Sequence, residues 1–397
     1  MPTTTFNPFD PTQVQDPYPA YRRLRDETPV AFSPSIQSWL VARYDDVEAV
    51  FLDPIGLSSA AMASTVGGEG GPRTGEDTGQ VLQTTDPPEH DRLRRIVNRG
   101  FTPRVLAAMR PTARAVIDEG IAEIRGTPPG RVVDLVPLVS ARVPVVLIAE
   151  LLGIERARHA DFRRWSDAIA ESIWAAGGRD ASQEEAELDA YLAGVVAAMQ
   201  RAPGDDVISK LIHAADGDAG VLRPGAIHPF VTSLLVAGYE TTANLISNCL
   251  LTLVREPHVA KTVATDRARI PAFVEEVLRR DGPVQLLMRR TTRACVLAGV
   301  AIPAGAMVIP LLGSANRDDR RFDEPDRFDL DREPRAHLAF GHGIHFCLGA
   351  TLARIEAQEA VDAVLDVFEA LEWLDEPYEN VPALMMRGPR RLRFRRR

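Results

Sequence analysis

The decapeptide FGHGIHFCLG, residues 340 to 349, sets Cys347 among Gly341, Gly343 and Gly349 and beside His342 and His345. A thiol acts as nucleophile or metal ligand in its thiolate form. Unpaired N–H groups and the positive end of a helix dipole favour that anion. The run LGATLARIEAQEAVDAVLDVF that follows carries Leu348, Leu352, Ile355, Val361, Val364, Leu365 and Phe368 broadly on one side of a helix. The spacing therefore predicts Cys347 at a helix N-terminus, and the glycines leave bare backbone that a flat ligand can approach closely.

Two metal or hydrolytic readings fit poorly. Zinc would need a second cysteine pair or a fuller ligand set, and a cysteine–histidine hydrolase would not need the glycines. One axial thiolate on a haem iron requires a single cysteine, close backbone and a helix dipole. A buried core cysteine is the plain alternative.

A second constellation lies in VTSLLVAGYETTANLISNCLLTLV, residues 231 to 254, which reads as one long buried helix. Gly238, Glu240, Thr241 and Thr242 interrupt its apolar character, and buried polar groups are costly unless they are used. The Thr241 hydroxyl is placed to bond back to the carbonyl of Ala237, which bends a helix beside a glycine and opens a small pocket. A kinked core helix with hydrated polar residues is the alternative.

Together these motifs resemble the cytochrome P450 family. F-G-x-G-x-H-x-C-x-G matches its haem signature, and A-G-x-E-T-T matches its oxygen-activation motif. The resemblance implies Cys347 as the proximal iron ligand, with Phe340 packed near the sulfur and Gly341, Gly349, Ala237 and Gly238 against the cofactor. It implies that Thr241 hydrogen-bonds the oxygen being activated and that Glu240 relays protons.

The resemblance extends to weaker patterns. In DPPEHDRLRRIV, His90 and Arg94 stand four apart on one helix face; with His345 and Arg289 they would bind two haem propionates. Arg290 would point to the opposite strand face. Glu276 and Arg279 in FVEEVLRR share a helix face, and with Arg327 in EPDRF they would form a structural charge cluster. Family positions lining the substrate pocket fall on the loop 57 to 84, on Leu234 and Leu235, on Val284, Gln285, Leu286 and Leu287, and on Met385 and Met386.

The implied cofactor is haem b, with dioxygen as co-substrate and NAD(P)H acting indirectly through a separate ferredoxin and ferredoxin reductase. The implied reaction is hydroxylation or epoxidation of a hydrophobic small molecule such as a terpenoid, steroid or fatty acid. Gln285 is the residue placed to orient that substrate. A peroxide-driven peroxygenase and a non-catalytic haem-thiolate sensor are the alternatives; Glu240 and Thr241 argue for dioxygen activation. Arg92, Arg95, Arg99 and Arg104 form a basic cluster suited to an acidic ferredoxin, or simply a solvated face.

The elements that must position these residues are mainly helical. ADFRRWSDAIAESIWAA, EEAELDAYLAGVVAAMQRA and IPAFVEEVLRR all show apolar steps of three and four. Strand signals are confined to SWLVARY and to ACVLAGVAIPAGAMVIPLLG, with a turn at Pro303 to Gly305. The expected fold is mainly α with a small β region, the haem lying between the long central helix and the cysteine loop. The motifs interleave across the chain, so a single domain, 1–397, is expected. Residues 64 to 80 are glycine-rich and read as a loop over the site or an insertion.

Composition narrows the classes further. The chain has 397 residues, 45% of them hydrophobic and 25% charged, with a formal net charge of -9. An acidic balance argues against a nucleic-acid binder, and the RRLRFRRR ending reads as a solvated tail. Three cysteines without a CxxC pair suit a reducing compartment, with Cys249 and Cys295 inert. No secretory leader and no membrane anchor are read in the sequence, so a cytoplasmic monomer is expected.

Overall fold

The computed structural model describes residues 1–60, 81–174, 180–202, 204, 209, 227–333, 336–381 and 385–397. The chain begins with helices α1 (Pro11–Val14) and α2 (Tyr18–Glu27) and a hairpin of β1 (Val30–Ser33) and β2 (Ser38–Val41). Asp10 caps α1 by accepting the Thr12 amide, and each of these helices has a proline in its first turn, where the missing N–H costs nothing. α3 (Tyr44–Leu52) and the short β3 (Leu57–Ser58) follow.

Next come α4 (Glu89–Asn98), α5 (Pro103–Ala108), α6 (Arg110–Gly126) and β4 (Val132–Asp134). Beyond β4 lie α7 (Arg142–Leu151), α8 (His159–Trp174), α9 (Ser182–Arg201), α10 (Ile227–Arg255), α11 (Pro257–Thr265) and α12 (Ile270–Asp281). β5 (Arg289–Thr291), β6 (Cys295–Leu297), β7 (Val300–Ile302) and β8 (Met307–Pro310) lead through α13 (Leu312–Ala315) to an irregular stretch, and then to α14 (Ala350–Leu365), β9 (Leu371–Trp373) and β10 (Arg393–Arg396).

α10 is the long helix expected from residues 231 to 254, and α14 is the helix expected after the cysteine. Phe230, Val231, Leu235, Leu245, Ile246, Cys249 and Leu250 are all buried, and a helix apolar on every side has to be central. α10 packs against α7, α12 and α14. The largest core cluster joins Ile117 and Ile121 of α6, Phe273 and Val277 of α12, Val361 and Val364 of α14, and Phe394 of β10. Each such side chain contributes about 1.5–3 kcal/mol by leaving water, so the helices flanking the cysteine loop are fixed from behind.

A five-stranded sheet runs β1-β2-β8-β5-β3, with β2 and β8 parallel and the other pairs antiparallel. It pairs Arg289 with Val308, burying Arg289 and Thr291 while Arg290 faces out, as strand alternation requires. Pro303 to Gly305 does connect β7 to β8. An additional tight turn at Ala298 and Gly299, with φ of 48° and 77°, joins β6 to β7. Two successive positive φ values match the twist of a two-residue hairpin.

The RRLRFRRR ending corrects an expectation. It is no tail: β10 is the middle strand between β4 and β9, with Phe394 buried and neighbouring arginines turned outward. Alternation hides one apolar residue among cations. The glycine-rich stretch 64 to 80 lies outside the described residues.

Candidate active site

The cysteine loop is held by its own backbone. Gly341 N–H donates to Leu338 O at 2.9 Å, Phe346 N–H to Gly343 O at 3.1 Å, and Cys347 N–H to Phe340 O at 3.0 Å. Gly343 has φ 69°, and a Cβ there would lie 2.6 Å from Phe51 O, so only glycine lets α3 meet the loop. Gly341 is also in the left-handed region, at φ 70°. A Cβ on Gly349 would meet no protein atom.

The reading of Cys347 as a thiolate made by a helix end alone needs correction. α14 begins at Ala350 with Gly349 as its cap. Burial pushes the Cys347 thiol pKa up, against the pull of the Gly349 amide, the Arg94 and Arg354 guanidinia and the Ala350 amide. Desolvation wins over those donors, whereas a coordinating cation deprotonates a thiol outright. The donor set thus suits a sulfur that becomes anionic on taking a metal.

Four cationic or imidazole side chains converge from three segments: His90 and Arg94 of α4, Arg289 of β5 and His345 of the cysteine loop. His90 of α4 is buried, with Nδ1 3.0 Å from Asp91 Oδ1 and no partner for Nε2. Its ring centroid stands 4.3 Å from that of His345, whose Nε2 also lacks a partner. Burial, and then the charges of Arg289, His90 and Arg94, push the His345 pKa down to about 3. Burial lowers Arg289 to about 10; its guanidinium lies 5.3 Å from the Phe51 ring centroid and donates to Met288 O at 2.8 Å. Buried nitrogens without acceptors, crowded by positive charge, fit an anionic group such as a carboxylate pair. The donors therefore fit haem propionates.

On α10 the Thr241 hydroxyl donates to Ala237 O at 2.7 Å, the back-bond anticipated from the sequence. Glu240 is largely buried, which raises its pKa to about 7, and its Oε2 has no partner. Gly238 has a packing reason of its own: a Cβ there would lie 2.6 Å from Ile148 Cδ1 of α7. That close approach between helices brings α10 against α7 at the residue next to Ala237.

Several positions expected to line the substrate pocket lie in hydrophobic clusters. Leu235 is buried among Val145, Ile148, Phe162 and Trp165 of α7 and α8, with Leu234 partly buried at its edge. Leu286 and Met385 belong to a cluster with Phe6, Tyr21 and Leu24, on the N-terminal side. Gln285 is also buried, donating from Nε2 to Gly282 O at 2.8 Å. Val284 and Leu287 pack at the edge of the cluster around β2 and β8, and Val284 bridges to Met386. Residues 61–80 of the expected lining loop lie outside the described residues.

The charge cluster behind the loop also differs from the sequence reading. Arg279 forms a two-pronged pair with Glu276 at 2.7 Å and 2.7 Å and donates to Asn316 O and Pro325 O. The third arginine is Arg332, whose Nε reaches Glu276 Oε1 at 3.1 Å. The Arg327 side chain is 60% exposed and pairs with Glu324 and Asp329, contributing only its carbonyl to the cluster. Two arginines five residues apart in one irregular segment cannot be told apart by spacing alone.

Three residues missed in the sequence also meet at the loop. Glu275 accepts from Arg354 and from His337, and Arg354 lies over the Phe340 ring with its guanidinium carbon 4.5 Å from the centroid. The only hint in the sequence was the second glutamate beside Glu276.

The family model for cytochrome P450 matches residues 148–387. Cytochrome P450 107B1 of Saccharopolyspora erythraea is 37% identical over 93% of this chain and 92% of its own. The cytochrome P450 monooxygenase PikC of Streptomyces venezuelae is 36% identical over 96% and 91%. Among solved structures, cytochrome P450 CYP109Q5 from Chondromyces apiculatus superposes with a TM-score of 0.87 at 34% identity, covering 98% of each chain. CYP109E1 from Bacillus megaterium, in complex with testosterone, gives 0.83 at 32% identity, covering 96% of this chain and 99% of that one. The motifs, the helical architecture and these matches agree, and the chain belongs to the cytochrome P450 family as one of its monooxygenases.

Proposed function

We propose that this monooxygenase holds haem b through Cys347 and hydroxylates or epoxidises a hydrophobic small molecule. The observation that carries the reading is the meeting of His90 and His345, two buried imidazoles with unpartnered Nε2 atoms, within the fields of Arg289 and Arg94. Arg94 also acts on Cys347, so the anion-binding donors and the sulfur belong to one site. Bound haem supplies the iron at which dioxygen is activated, chemistry that belongs to the cofactor.

The chain's own residues orient, desolvate and move protons. Phe340 and Gly341 of the cysteine loop, and Ala237, Gly238, Glu240 and Thr241 of α10, would hold the cofactor between them. With its pKa near 7, Glu240 holds a proton that it is able to release at neutral pH. Thr241 keeps a hydroxyl in place through Ala237 O and hands hydrogen bonds on to the reacting oxygen. Gly349 and the arginines place dipole and charge at the sulfur.

A lipophilic substrate is supported by what similar proteins are named for. These include a vitamin D(3) 25-hydroxylase of Pseudonocardia autotrophica, an erythromycin C-12 hydroxylase of Saccharopolyspora erythraea and a cyclomarin C epoxidase of Salinispora arenicola. Substrate-induced absorption changes test this: steroid- or macrolide-sized apolar ligands should shift the haem spectrum. Shifts by small charged ligands alone would overturn the substrate class.

Electrons arrive, in this reading, from NAD(P)H through a ferredoxin reductase and a separate ferredoxin. Arg95, Arg99 and Arg104 are exposed on and after α4, whereas Arg92 is partly offset by Glu89 at 3.5 Å. Reversing the three exposed charges should slow reduction and flatten its salt dependence. No helix among the described residues is long and apolar enough to cross a membrane.

A further inference from the structure

Adjacent glutamates on α12 point about 100° apart, and each holds a different part of the structure around Cys347. Glu276 faces Arg279 and Arg332. Glu275 faces the cysteine loop, accepting Arg354 Nε on Oε1 at 2.6 Å and Arg354 Nη2 on Oε2 at 3.0 Å. His337 Nε2 lies 3.2 Å from the same Oε2. Ala339 N–H donates to His337 Nδ1 at 3.2 Å, which leaves Nε2 as the ring nitrogen that donates to Glu275. Glu275 and Arg354 thus form one ion pair that His337 steadies through Oε2.

Arg354 joins that group to the sulfur in two ways. Its guanidinium lies on the Phe340 ring, and the Phe340 carbonyl accepts the Cys347 amide, so the pair fixes the residue that ties down the loop. The same stacking holds its positive charge against the loop whose backbone bond fixes Cys347. The forked carboxylate both aims that charge and offsets it.

We propose that Glu275 and Arg354 are positioning residues that set, with opposite signs, how strongly Cys347 donates electrons to a bound metal. The proposal rests on the reading of Cys347 as iron ligand. Removing the carboxylate leaves Arg354 uncompensated against the loop that carries Cys347, which would stabilise the reduced, more electron-rich form of a bound metal. Removing the guanidinium leaves the Glu275 charge uncompensated and does the reverse. A purely structural role would loosen the loop in the same sense in both cases.

The test is a dye-mediated reduction titration of the haem-loaded protein at fixed ionic strength. Glu275→Gln should raise the reduction potential, Arg354→Gln should lower it, and the double variant should return close to wild type. Should Arg354→Gln not load haem, Arg354→Lys serves. It keeps the charge and loses the fork, and its potential should stay near wild type while its reduced carbon monoxide complex loses the thiolate-type spectrum severalfold faster. Shifts of one sign in both single variants, no shift in either, or a large fall in Arg354→Lys would each overturn the proposal. The wild-type carbon monoxide complex separates the two levels: a spectrum without the thiolate-type shift overturns the ligand reading itself, whereas a normal wild-type spectrum with unmoved potentials overturns only the role of Glu275 and Arg354.

Discussion

A single oxygen, Glu276 Oε1, accepts the Arg332 Nε at 3.1 Å, the Arg279 Nη2 at 2.7 Å and the Asp329 amide at 3.1 Å. Glu276 and Arg279 are almost wholly buried, and Arg332 is 11% exposed. Taking one partner from a buried charge cluster leaves the others uncompensated, at a cost of about 3–5 kcal/mol. Arg332→Ala should therefore lower the denaturant midpoint severely, and Arg327→Ala, on the exposed side of the same turn, should stay within about 0.5 kcal/mol of wild type. Equal losses in the two variants would contradict the assignment of Arg332.

Thr241→Ala removes the hydroxyl that Ala237 O now holds and nothing that touches the sulfur. Haem content should be unchanged, while a larger share of the electrons consumed should appear as hydrogen peroxide instead of product. Measuring peroxide and product against NAD(P)H oxidised checks this; unaltered coupling would remove Thr241 from the reaction.

Glu240 gives a pH dependence whose sign is fixed. Burial raises its pKa from the ordinary 4.5 to about 7, so between these values the folded protein keeps a proton that the unfolded chain has released. Stability should fall as pH rises through that window and level off above it, by up to about 3 kcal/mol. Glu240→Gln should flatten this slope. It should also abolish the loss of coupled turnover expected above about pH 7 in the wild type, where the carboxyl no longer has a proton to give. A wild-type coupling profile level across pH 7 would count against the proton role.

Cys347→Ser keeps the loop's backbone bonds, since these come from Leu338, Phe340 and Gly343 carbonyls. The variant should bind haem through the histidine and arginine donors yet lack the red-shifted Soret band of a thiolate complex with carbon monoxide. Persistence of that band would place the ligand elsewhere.

What the sequence disclosed was whatever is fixed within a short stretch of chain. Gly343 and Cys347 are legible because φ 69° and a sulfur at a helix start each demand one residue type. Thr241 was legible because an i to i−4 back-bond is a property of the helix alone. Arg332 was not, because choosing it over Arg327 depends on how an irregular segment folds back on α12. Leu235, Leu286 and Met385 carry no such local signal: an apolar residue reads the same whether it faces a substrate or Phe162. The Glu275, His337 and Arg354 group spans 79 residues between its carboxylate and its guanidinium, and no local pattern announces it.

The placement of β10 bears on how the polypeptide is made. Among the described residues β4 pairs with β10 alone: Leu392 N–H reaches Asp134 Oδ1 from 258 residues away, and Gly130 N–H reaches Arg396 O at 2.7 Å. During synthesis residues 132 to 134 therefore wait as an unpaired edge until a segment 258 residues further along has been made. The strand that closes it arrives with Arg393 paired to Glu376, Arg395 to Glu372 and Arg396 donating to Thr127 O. Phe394→Asp would leave Cys347 and its donors intact in the sequence and yet strand that edge, so the variant should accumulate as aggregate.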